Sequence, residues 1–213
     1  MNSTNQIVQV CRLLYENGWL AACDGNVSMR LDENTILITP SARHKGFLEA
    51  DEIVTMNFQG EARTGTPSSE YPMHLEVYRQ CPQAKAVIHA HPPVATAWSI
   101  AKPYMKELPN SALSEVILAV GKIPIVPYAR PGSEELGEKL KPFLPSSRVM
   151  VLSRHGSLCW GETLDEAFFG TERLEHVART LMYAQTISGL SELPYMEIRE
   201  LKKMRNAKGD RIL

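Results

Sequence analysis

Two histidines separated by one residue, His89 and His91, lie near the end of the string KAVIHAHPP, residues 85–93. The apolar residues before them are typical of a β-strand, in which alternate side chains lie on the same face. The imidazoles of His89 and His91 are therefore expected to point the same way and to offer two nitrogens to one divalent metal ion. Pro92 and Pro93 follow and end the strand, because proline has no backbone N–H to donate. The alternative is a pair of exposed histidines at a strand end, with no metal role.

A third histidine follows a second apolar strand candidate in the string RVMVLSRHGS, residues 148–157. His155 would complete a set of three imidazoles, and three protein ligands with one open position are the pattern of catalytic zinc sites. Gly156 comes directly after it and would let the backbone or a ligand approach closely. The remaining histidines are predicted to be structural or surface residues, and they are His44, His74 and His176.

A carboxylate and two hydroxyls precede a predicted helix in GTPSSEYPMHLEVY, residues 65–78. Ser68 and Ser69 can accept hydrogen bonds from the free N–H groups at the helix start. A helix N-terminus preceded by hydroxyls also suits a phosphate. Glu70 is expected in the first helical turn, where the helix dipole alone favours an acidic residue. The functional alternative makes Glu70 a neighbour of the metal and a general base.

Two loops could bind an anion through their backbone N–H groups. Asp24, Gly25 and Asn26 tolerate a positive φ and can turn such groups inward. The segment TPSA, residues 39–42, could do the same after the next strand. Ordinary turn chemistry explains either loop equally well when it is taken alone.

Strands and helices must bring these residues together, and the sequence pattern predicts both. Apolar residues at helical spacing predict a first helix that ends at Asn17-Gly18, and alternation around residues 32–34 predicts a hairpin. Further strands are predicted over 52–58, 85–91, 123–128 and 148–153. Further helices are predicted over 71–80, 93–101, 133–140, 163–187 and 194–203. Because the two types interleave and hairpin-like turns occur, the fold class is α/β with a partly antiparallel sheet.

The length and composition exclude several classes of protein. The chain has 213 residues, so we expect one domain over 1–213, with a mobile tail from about residue 190. Its 23 basic and 24 acidic residues leave no overall positive field to attract a nucleic acid or an anionic membrane. The four cysteines fit no zinc ribbon or redox pair and are expected to be reduced thiols. With no leader-like N-terminus and no membrane-spanning run, the expected location is the cytoplasm.

Five short strings follow one another along the chain: GNVS, ITPS, PSSE, HAHP and RHG. In this order and spacing, over about residues 17–188, they resemble the class II aldolase/adducin family, with the greatest likeness to its L-fuculose-1-phosphate aldolases. The resemblance implies a single-domain, three-layer α/β/α sandwich around a mainly antiparallel central sheet. It also implies a homotetramer with active sites at subunit contacts and a small phosphorylated sugar as substrate.

The resemblance assigns a role to each candidate site residue. It implies one zinc ion per subunit, with Mn²⁺ or Co²⁺ as alternatives, bound by His89, His91 and His155. Glu70 is implied as the fourth ligand at rest and as the base during turnover. The phosphate-binding positions of the family correspond to Gly25, Asn26, Ser41, Ser68 and Ser69.

The implied activity is that of a zinc-dependent class II aldolase. Such an enzyme cleaves a ketose 1-phosphate, similar to L-fuculose 1-phosphate, to dihydroxyacetone phosphate and an aldehyde through a metal-stabilised enediolate. Zinc acts as a Lewis acid at the carbonyl and hydroxyl oxygens of the substrate. The phosphate loops orient the substrate and Glu70 takes the proton.

Departures from the family pattern leave alternatives open. Ala42 stands where the family often has glycine, which puts a positive φ there in question. Aldolases of this kind use a tyrosine of a neighbouring subunit as proton donor, but residues 108–123 contain none, and Glu115 is the candidate second acid there. Residues 154–167 are similar to methylthioribulose-1-phosphate dehydratase, which is the main alternative. A sugar-phosphate epimerase and a non-catalytic adducin-like module are the others.

Overall fold

A computed structural model, which describes residues 2–144, 146–209 and 211–212, contains one mixed β-sheet. The strands within that part of the chain are β1 (Asn26–Arg30), β2 (Ile36–Ile38), β3 (Val54–Met56), β4 (Ala86–Ala90), β5 (Ile125–Val126), β6 (Val149–Leu152) and β7 (Gly156–Gly161). Their order across the sheet is β3-β2-β1-β4-β7-β6-β5. Neighbouring strands are antiparallel, except that β5 and β6 are parallel.

Helices cover both faces of the sheet. They are α1 (Ser3–Glu16), α2 (Tyr71–Gln80), α3 (Pro93–Ala101), α4 (Ser114–Ala119), α5 (Glu134–Leu140), α6 (Leu164–Ile187) and α7 (Tyr195–Lys208). One face of the sheet packs against α2 and α5. The other face packs against α1, α3, α4 and α6. The predicted three-layer α/β/α arrangement around a mainly antiparallel sheet is therefore confirmed.

The alternation of side chains along β4 decides which of them reach the candidate site. Ile88 packs in the apolar cluster on the α1 side, whereas Val87 packs in the cluster on the α2 side. His89 shares the α2 face with Val87, because successive strand residues point to opposite faces. Asn26 of β1 is the register partner of His89 and so lies on that same face. The α2 layer consequently covers the polar residues at this end of the sheet.

Most predicted elements form, but two strands are less than half as long as predicted. The predicted strand over 123–128 is reduced to β5, because Pro124 and Pro127 flank it and cannot donate to a ladder. The predicted strand over 52–58 is reduced to β3. Asn57 ends it, since its side-chain oxygen accepts hydrogen bonds from the backbone of the following turn.

The sequence analysis missed β7 and α4. Strand β7 lies at the centre of the sheet, between β4 and β6, and begins directly after His155. Its sequence GSLCWG begins and ends with glycine, which is typical of turns rather than strand interiors. Helix α4 has too few residues for a helical period to be visible. Tertiary packing on α7 stabilises it instead, and Arg205 of α7 donates to the Leu118 carbonyl.

The longest helix, α6, connects the sheet to α3. It begins after Thr163, whose hydroxyl accepts a hydrogen bond from the Glu166 backbone. Its buried Glu175 accepts hydrogen bonds from the free N–H groups of Val94 and Ala95 at the start of α3. Neither α6 nor any other helix in the described part of the chain is long and apolar enough to cross a membrane.

We predict that Gly156→Ala destabilises the protein by about 1–3 kcal/mol, because the added methyl group overpacks a strand contact. A Cβ at Gly156 would lie 2.4 Å from the Ala90 carbonyl oxygen and 2.7 Å from Cδ2 of His91. The matched control is Gly137→Ala in α5, where the nearest atom to a Cβ lies at 3.8 Å. That change should raise stability by up to about 1 kcal/mol, because alanine favours helix. Urea unfolding measures both, and equal stability of the two variants contradicts the strand-contact argument.

Candidate active site

Three imidazoles meet at one edge of the sheet. His89 is the fourth residue of β4, His91 is the first residue beyond that strand, and His155 lies in the turn between β6 and β7. One nitrogen of each ring lies within 4.8 Å of a nitrogen of the others. Nε2 of His89 and Nε2 of His91 lie 3.0 Å apart. The structure thus brings together the histidines that the sequence proposed as ligands.

The carboxylate of Glu70 completes this cluster. Its Oε2 lies 3.2 Å from Nε2 of His89, and its Oε1 lies 3.2 Å from Nε2 of His155. Glu70 is the N-cap residue of α2, one position before the first helical turn in which it was predicted. Its side chain does not cap the helix, so both oxygens are available to the histidines.

These separations fit a metal ion. Two ligand atoms about 2.0–2.1 Å from a tetrahedral zinc ion lie about 3.3 Å apart. The spacings of 3.0–3.2 Å are close to that value. Oε1 of Glu70 is buried and, in the described residues, makes no hydrogen bond of acceptable geometry. Lone pairs that converge in this way repel one another unless a cation lies between them, and three nitrogens with one carboxylate oxygen suit Zn²⁺.

The outer nitrogens of the imidazoles orient the inner ones. Nδ1 of His89 lies 2.8 Å from the Ser157 carbonyl oxygen and must donate to it, which leaves Nε2 as a free acceptor. Nδ1 of His91 faces the Asp24 carboxylate at 3.5 Å. We infer the same tautomer for both rings, with Nε2 directed at the shared centre. The metal-ligand roles of the histidines stay a prediction that this geometry fits.

Burial and mutual proximity shift the pKa values of two members of this cluster, His91 and Glu70. Burial, followed by the proximity of His89 and His155, lowers the pKa of His91 to about 3, so its ring is neutral near pH 7. Burial by itself raises the pKa of Glu70, but the neighbouring His89 and His155 outweigh it and hold that pKa well below its ordinary value. Near pH 7 the site therefore presents a neutral His91 ring and an ionised Glu70 carboxylate.

A chain of buried hydrogen bonds connects the core to Glu70. Nδ2 of Asn26 donates to Oε2 of Glu70 at 2.9 Å. Oδ1 of Asn26 lies 2.5 Å from Nε2 of His74, and Nδ1 of His74 lies 2.7 Å from Oγ of Ser28. The Ser28 hydroxyl also lies 2.7 Å from the Tyr78 hydroxyl.

The donor of each bond in this chain follows from the one before it. The amide oxygen of Asn26 can only accept, so Nε2 of His74 donates. Burial lowers the pKa of His74 to about 3, so the ring is neutral and its Nδ1 accepts from Ser28. Tyr78 then donates to Ser28. Each hydrogen bond in this chain therefore has only one possible donor. The Asn26 amide is consequently held with its NH₂ group toward Glu70.

A cleft of about 340 Å³ opens beside the histidine cluster. Glu70, His91 and His155 line it, whereas His89 is fully buried beneath its floor. The predicted phosphate-binding residues all line the same cleft, and they are Gly25, Asn26, Ser41, Ser68 and Ser69. A volume of this size suits a small molecule of a few carbon atoms. Their phosphate-binding role stays a prediction.

Backbone pairing places the two serine-containing loops side by side. Pro40 and Pro67 form an isolated bridge, and the Ser68 N–H donates to the Thr39 carbonyl at 3.1 Å. The positive φ of 54° at Ala42 answers the question that the missing glycine raised, since alanine adopts the left-handed backbone here. The Ser68 hydroxyl accepts a weak hydrogen bond from the Glu70 N–H at 3.4 Å, but Glu70 is itself the N-cap residue and no side chain caps α2, so the predicted serine cap is not formed.

Gly25 cannot be replaced without moving this edge of the sheet. Its φ is +71°, and a Cβ there would lie 2.9 Å from the His89 carbonyl oxygen. Glycine is therefore required both for the backbone conformation and for the close approach of β4.

Other residues depart from the sequence analysis. Glu115 is exposed in the first turn of α4 and does not line the cleft in the described residues, so its role as a second acid stays a prediction. The sequence analysis missed Lys45, Pro131 and Gly132, which do line the cleft. Lys45 stands in the polar string ARHKGF and therefore had the pattern of a surface residue. Its position directly after the TPSA loop was the only available indication.

Comparisons with known proteins agree on one family. A sequence model described as "Class II Aldolase and Adducin N-terminal domain" matches residues 5–182. A 3-oxo-tetronate 4-phosphate decarboxylase of Haemophilus influenzae is 32% identical over 206 residues, which cover 94% of each chain. An L-fuculose phosphate aldolase of Methanococcus vannielii is 35% identical over 174 residues, which cover 82% of this chain and 92% of that one.

Solved structures with this fold include proteins of the same kinds. YgbL of Escherichia coli, described as an aldolase, epimerase or decarboxylase, superposes with a TM-score of 0.87 at 27% identity, covering 93% of this chain and 97% of that one. An L-fuculose 1-phosphate aldolase superposes with a TM-score of 0.85 at 25% identity, covering 98% of each chain.

We predict that the metal-free protein loses stability as the pH falls from about 6.5 toward 3. In this range the unfolded chain protonates His74 and His91, but the folded chain does not, because both folded pKa values are about 3. The loss should be about 2 kcal/mol per histidine at pH 5. Urea unfolding at pH 8 and at pH 5 measures it. His74→Gln keeps a donor for Asn26 and should reduce the difference, whereas the exposed control His176→Gln should not. If the stability difference between pH 8 and pH 5 is the same in His74→Gln as in the wild type, the low pKa of His74 in the folded chain is wrong.

Proposed function

The chain belongs to the class II aldolase and adducin family, and on that premise we propose that it is a zinc-dependent aldolase that cleaves a ketose 1-phosphate to dihydroxyacetone phosphate and an aldehyde. The observation that carries this proposal is the convergence of His89, His91, His155 and Glu70 at the end of a cleft lined by the phosphate-binding positions of the family. The named relatives are lyases, both aldolases and decarboxylases.

The metal ion would be held by the Nε2 atoms of the three histidines and, before substrate binds, by Glu70. Bound there, zinc supplies a Lewis acid that stabilises the negative charge on substrate oxygens. Mn²⁺ and Co²⁺ are alternatives, because this donor set accepts several divalent ions.

The residues of the chain bind and orient the substrate and move its proton. The hydroxyls of Ser41, Ser68 and Ser69 and the backbone at Gly25 fix the phosphate, so that the carbon next to the ketone faces Glu70. In the aldol direction, Glu70 takes the proton from that carbon. In the cleavage direction, it returns a proton to the same carbon after the carbon–carbon bond breaks. The hydrogen bond from Asn26 holds the carboxylate in place for this transfer.

A second candidate is decarboxylation of a 3-oxo-tetronate 4-phosphate. The decarboxylase of H. influenzae matches this chain over 94% of its length, a wider span than the 82% of the M. vannielii aldolase, and this favours the candidate. Loss of CO₂ from carbon 1 of such a substrate leaves the bonding electrons on carbon 2, beside the ketone. Protonation of carbon 2 then produces dihydroxyacetone phosphate. The aldolase and the decarboxylase therefore pass through the same enediolate and differ only in the fragment that leaves.

Further parts of the proposal rest on the family. We propose a homotetramer with active sites at subunit contacts, which the exposed rings of Phe47, Tyr104 and Tyr128 support as surfaces a partner could cover. We also propose that residues 1–213 form one domain and that the protein acts in the cytoplasm. The dehydratase alternative depends on Glu115, which does not line the cleft in the described residues of one chain. Size-exclusion chromatography with light scattering measures the oligomeric state.

We predict metal-dependent exchange of solvent deuterium into dihydroxyacetone phosphate at its hydroxyl-bearing carbon. Proton NMR follows the exchange with zinc-loaded and with chelator-stripped protein. Exchange with the zinc-loaded protein alone agrees with either lyase reaction, since both form the enediolate of this compound. No exchange by protein with stoichiometric zinc contradicts both.

Two substrates then show whether the fragment that leaves is CO₂ or an aldehyde. Release of CO₂ from 3-oxo-tetronate 4-phosphate identifies the decarboxylase. Condensation of dihydroxyacetone phosphate with a short 2-hydroxyaldehyde identifies the aldolase. A protein that exchanges deuterium but consumes neither substrate would have a different aldehyde partner, and a series of aldehydes of increasing length finds it.

We predict that Glu70→Gln retains most of the bound zinc but lowers the exchange rate by about 10²–10⁴, because the base is lost and the three histidines remain. His89→Ala should lose both zinc and exchange. The matched control is Glu76→Gln, which lies on the same helix and is similarly buried but does not line the cleft. Metal analysis and the exchange assay are run on all three variants. Full exchange activity in Glu70→Gln excludes Glu70 as the base.

A further inference from the structure

Lys45 is a buried lysine with no acidic partner in the described residues. Only 2% of its surface is exposed, and it begins a short 3₁₀ turn, Lys45–Phe47, directly after the TPSA loop. Its Nζ donates to the carbonyl oxygens of Cys23 and Arg43, at 2.8 and 2.6 Å. No carboxylate of the described chain lies within ion-pair distance of it. Burying a cation without a counter-ion is costly, so such a residue needs a compensating function.

The environment of Lys45 indicates what that counter-ion is. An ammonium group has three donors, and the two carbonyls use two of them. Lys45 lines the cleft together with Ser41, Ser68 and Ser69, and it is the only lysine or arginine among the described residues that do so. The third donor is thus available to a ligand in the cleft. The acidic residues Asp24 and Glu70 line the cleft as well, so the charge of Lys45 is the positive charge that offsets them where an anion binds.

We propose that Lys45 is a binding residue for the doubly charged phosphate group of the substrate, and that it makes the cleft selective for phosphate monoesters. The proposal rests on the proposed function, because it assigns a substrate class to the same cleft. Its charge offsets one of the two phosphate charges, and the phosphate in turn supplies the counter-ion that the folded chain lacks. The two carbonyl contacts hold the ammonium group between the Cys23 and Arg43 segments.

The position of the two loops explains why the Lys45 ammonium group has a fixed place. Cys23 precedes the Gly25 turn, and Arg43 follows the TPSA loop. Lys45 therefore ties the two anion-binding loops together through their carbonyls. Burial also lowers its pKa, while the nearby acidic groups, Asp24 and Glu70 among them, act in the opposite direction. An arriving phosphate dianion adds to the groups that favour the charged form.

The test uses the metal-stripped protein and inorganic phosphate as the probe. Isothermal titration measures the affinity, and thermal unfolding measures the stability with and without phosphate. Lys45→Gln removes the charge but keeps an N–H donor for a loop carbonyl. It should bind phosphate about 10- to 100-fold more weakly than the wild type. The matched control is Lys122→Gln, an exposed lysine outside the cleft, which should bind as the wild type does.

The stability measurement separates binding from a purely structural role. Phosphate should raise the unfolding temperature of the wild type and of Lys122→Gln, but much less that of Lys45→Gln. Without phosphate, Lys45→Gln should be about as stable as the wild type, because an uncompensated buried charge has been removed. A variant that is less stable but binds phosphate with unchanged affinity overturns the proposal. So does a wild-type protein that binds no phosphate.

A measurement on the wild type keeps the proposal testable even if Lys45→Gln does not fold. In protein labelled with [¹³C]lysine, Lys45 is the one buried lysine of the described chain, so a soluble paramagnetic agent should leave its ε-carbon resonance unbroadened. That resonance should shift on saturation with phosphate, and a fixed resonance overturns the proposal.

Failure of this inference is distinguishable from failure of the proposed function. If Lys45→Gln exchanges deuterium into dihydroxyacetone phosphate with an unchanged KM, the lysine proposal is wrong and the lyase proposal stands. If the wild type binds phosphate through Lys45 but catalyses no exchange, the anion site stands and the lyase proposal is wrong. The expected result is a raised KM for dihydroxyacetone phosphate with a smaller change in kcat.

Discussion

The antiparallel pairing of β4 with β1 and β7 is the constraint on which the site depends. Antiparallel neighbours begin where the strand between them ends, so the start of β1, the end of β4 and the start of β7 lie at one edge of the sheet. That edge carries Asn26, His89 and the turn that contains His155. The strands approach closely enough because Gly25 and Gly156 have no side chains to separate them. Backbone hydrogen bonds also hold the two histidines outside the strands, since His91 donates to the Trp19 carbonyl and His155 to the Leu152 carbonyl.

The charges of the histidine rings and of Glu70 at this edge of the sheet depend on burial and on their proximity to one another. Burial lowers the pKa of His91 and keeps its ring neutral, and the proximity of His89 and His155 lowers the pKa of Glu70 and keeps its carboxylate ionised. The directed hydrogen bonds from Tyr78 through His74 to Asn26 fix the amide that holds Glu70. Both ring nitrogens of the buried His74 make hydrogen bonds, to Ser28 and to Asn26. His74 therefore orients a group that contacts the candidate base.

The aldolase and decarboxylase activities of the relatives make the same demands on an active site. Both require a phosphate to be held in place, a ketone to be polarised, and an anion beside that ketone to be stabilised and protonated. The candidates for these tasks, Glu70 and the serine hydroxyls among them, line one cleft. The two activities differ in what leaves, an aldehyde or CO₂.

The sequence by itself predicted the layered α/β architecture and selected His89, His91, His155 and Glu70 as candidate site residues, because these follow from local periodicity and from ordered motifs. The spacing of His89 and His91 needs only the two-residue repeat of a strand, and the helix at 71–80 needs only its own pattern. Tertiary structure alone decided that GSLCWG is a central strand, since its glycines are favourable only where a neighbouring strand approaches. It alone decided that Ala42 adopts a positive φ and that Lys45, in a polar string, is buried beside the cleft. These outcomes depend on contacts between segments far apart in the chain, which local pattern does not record.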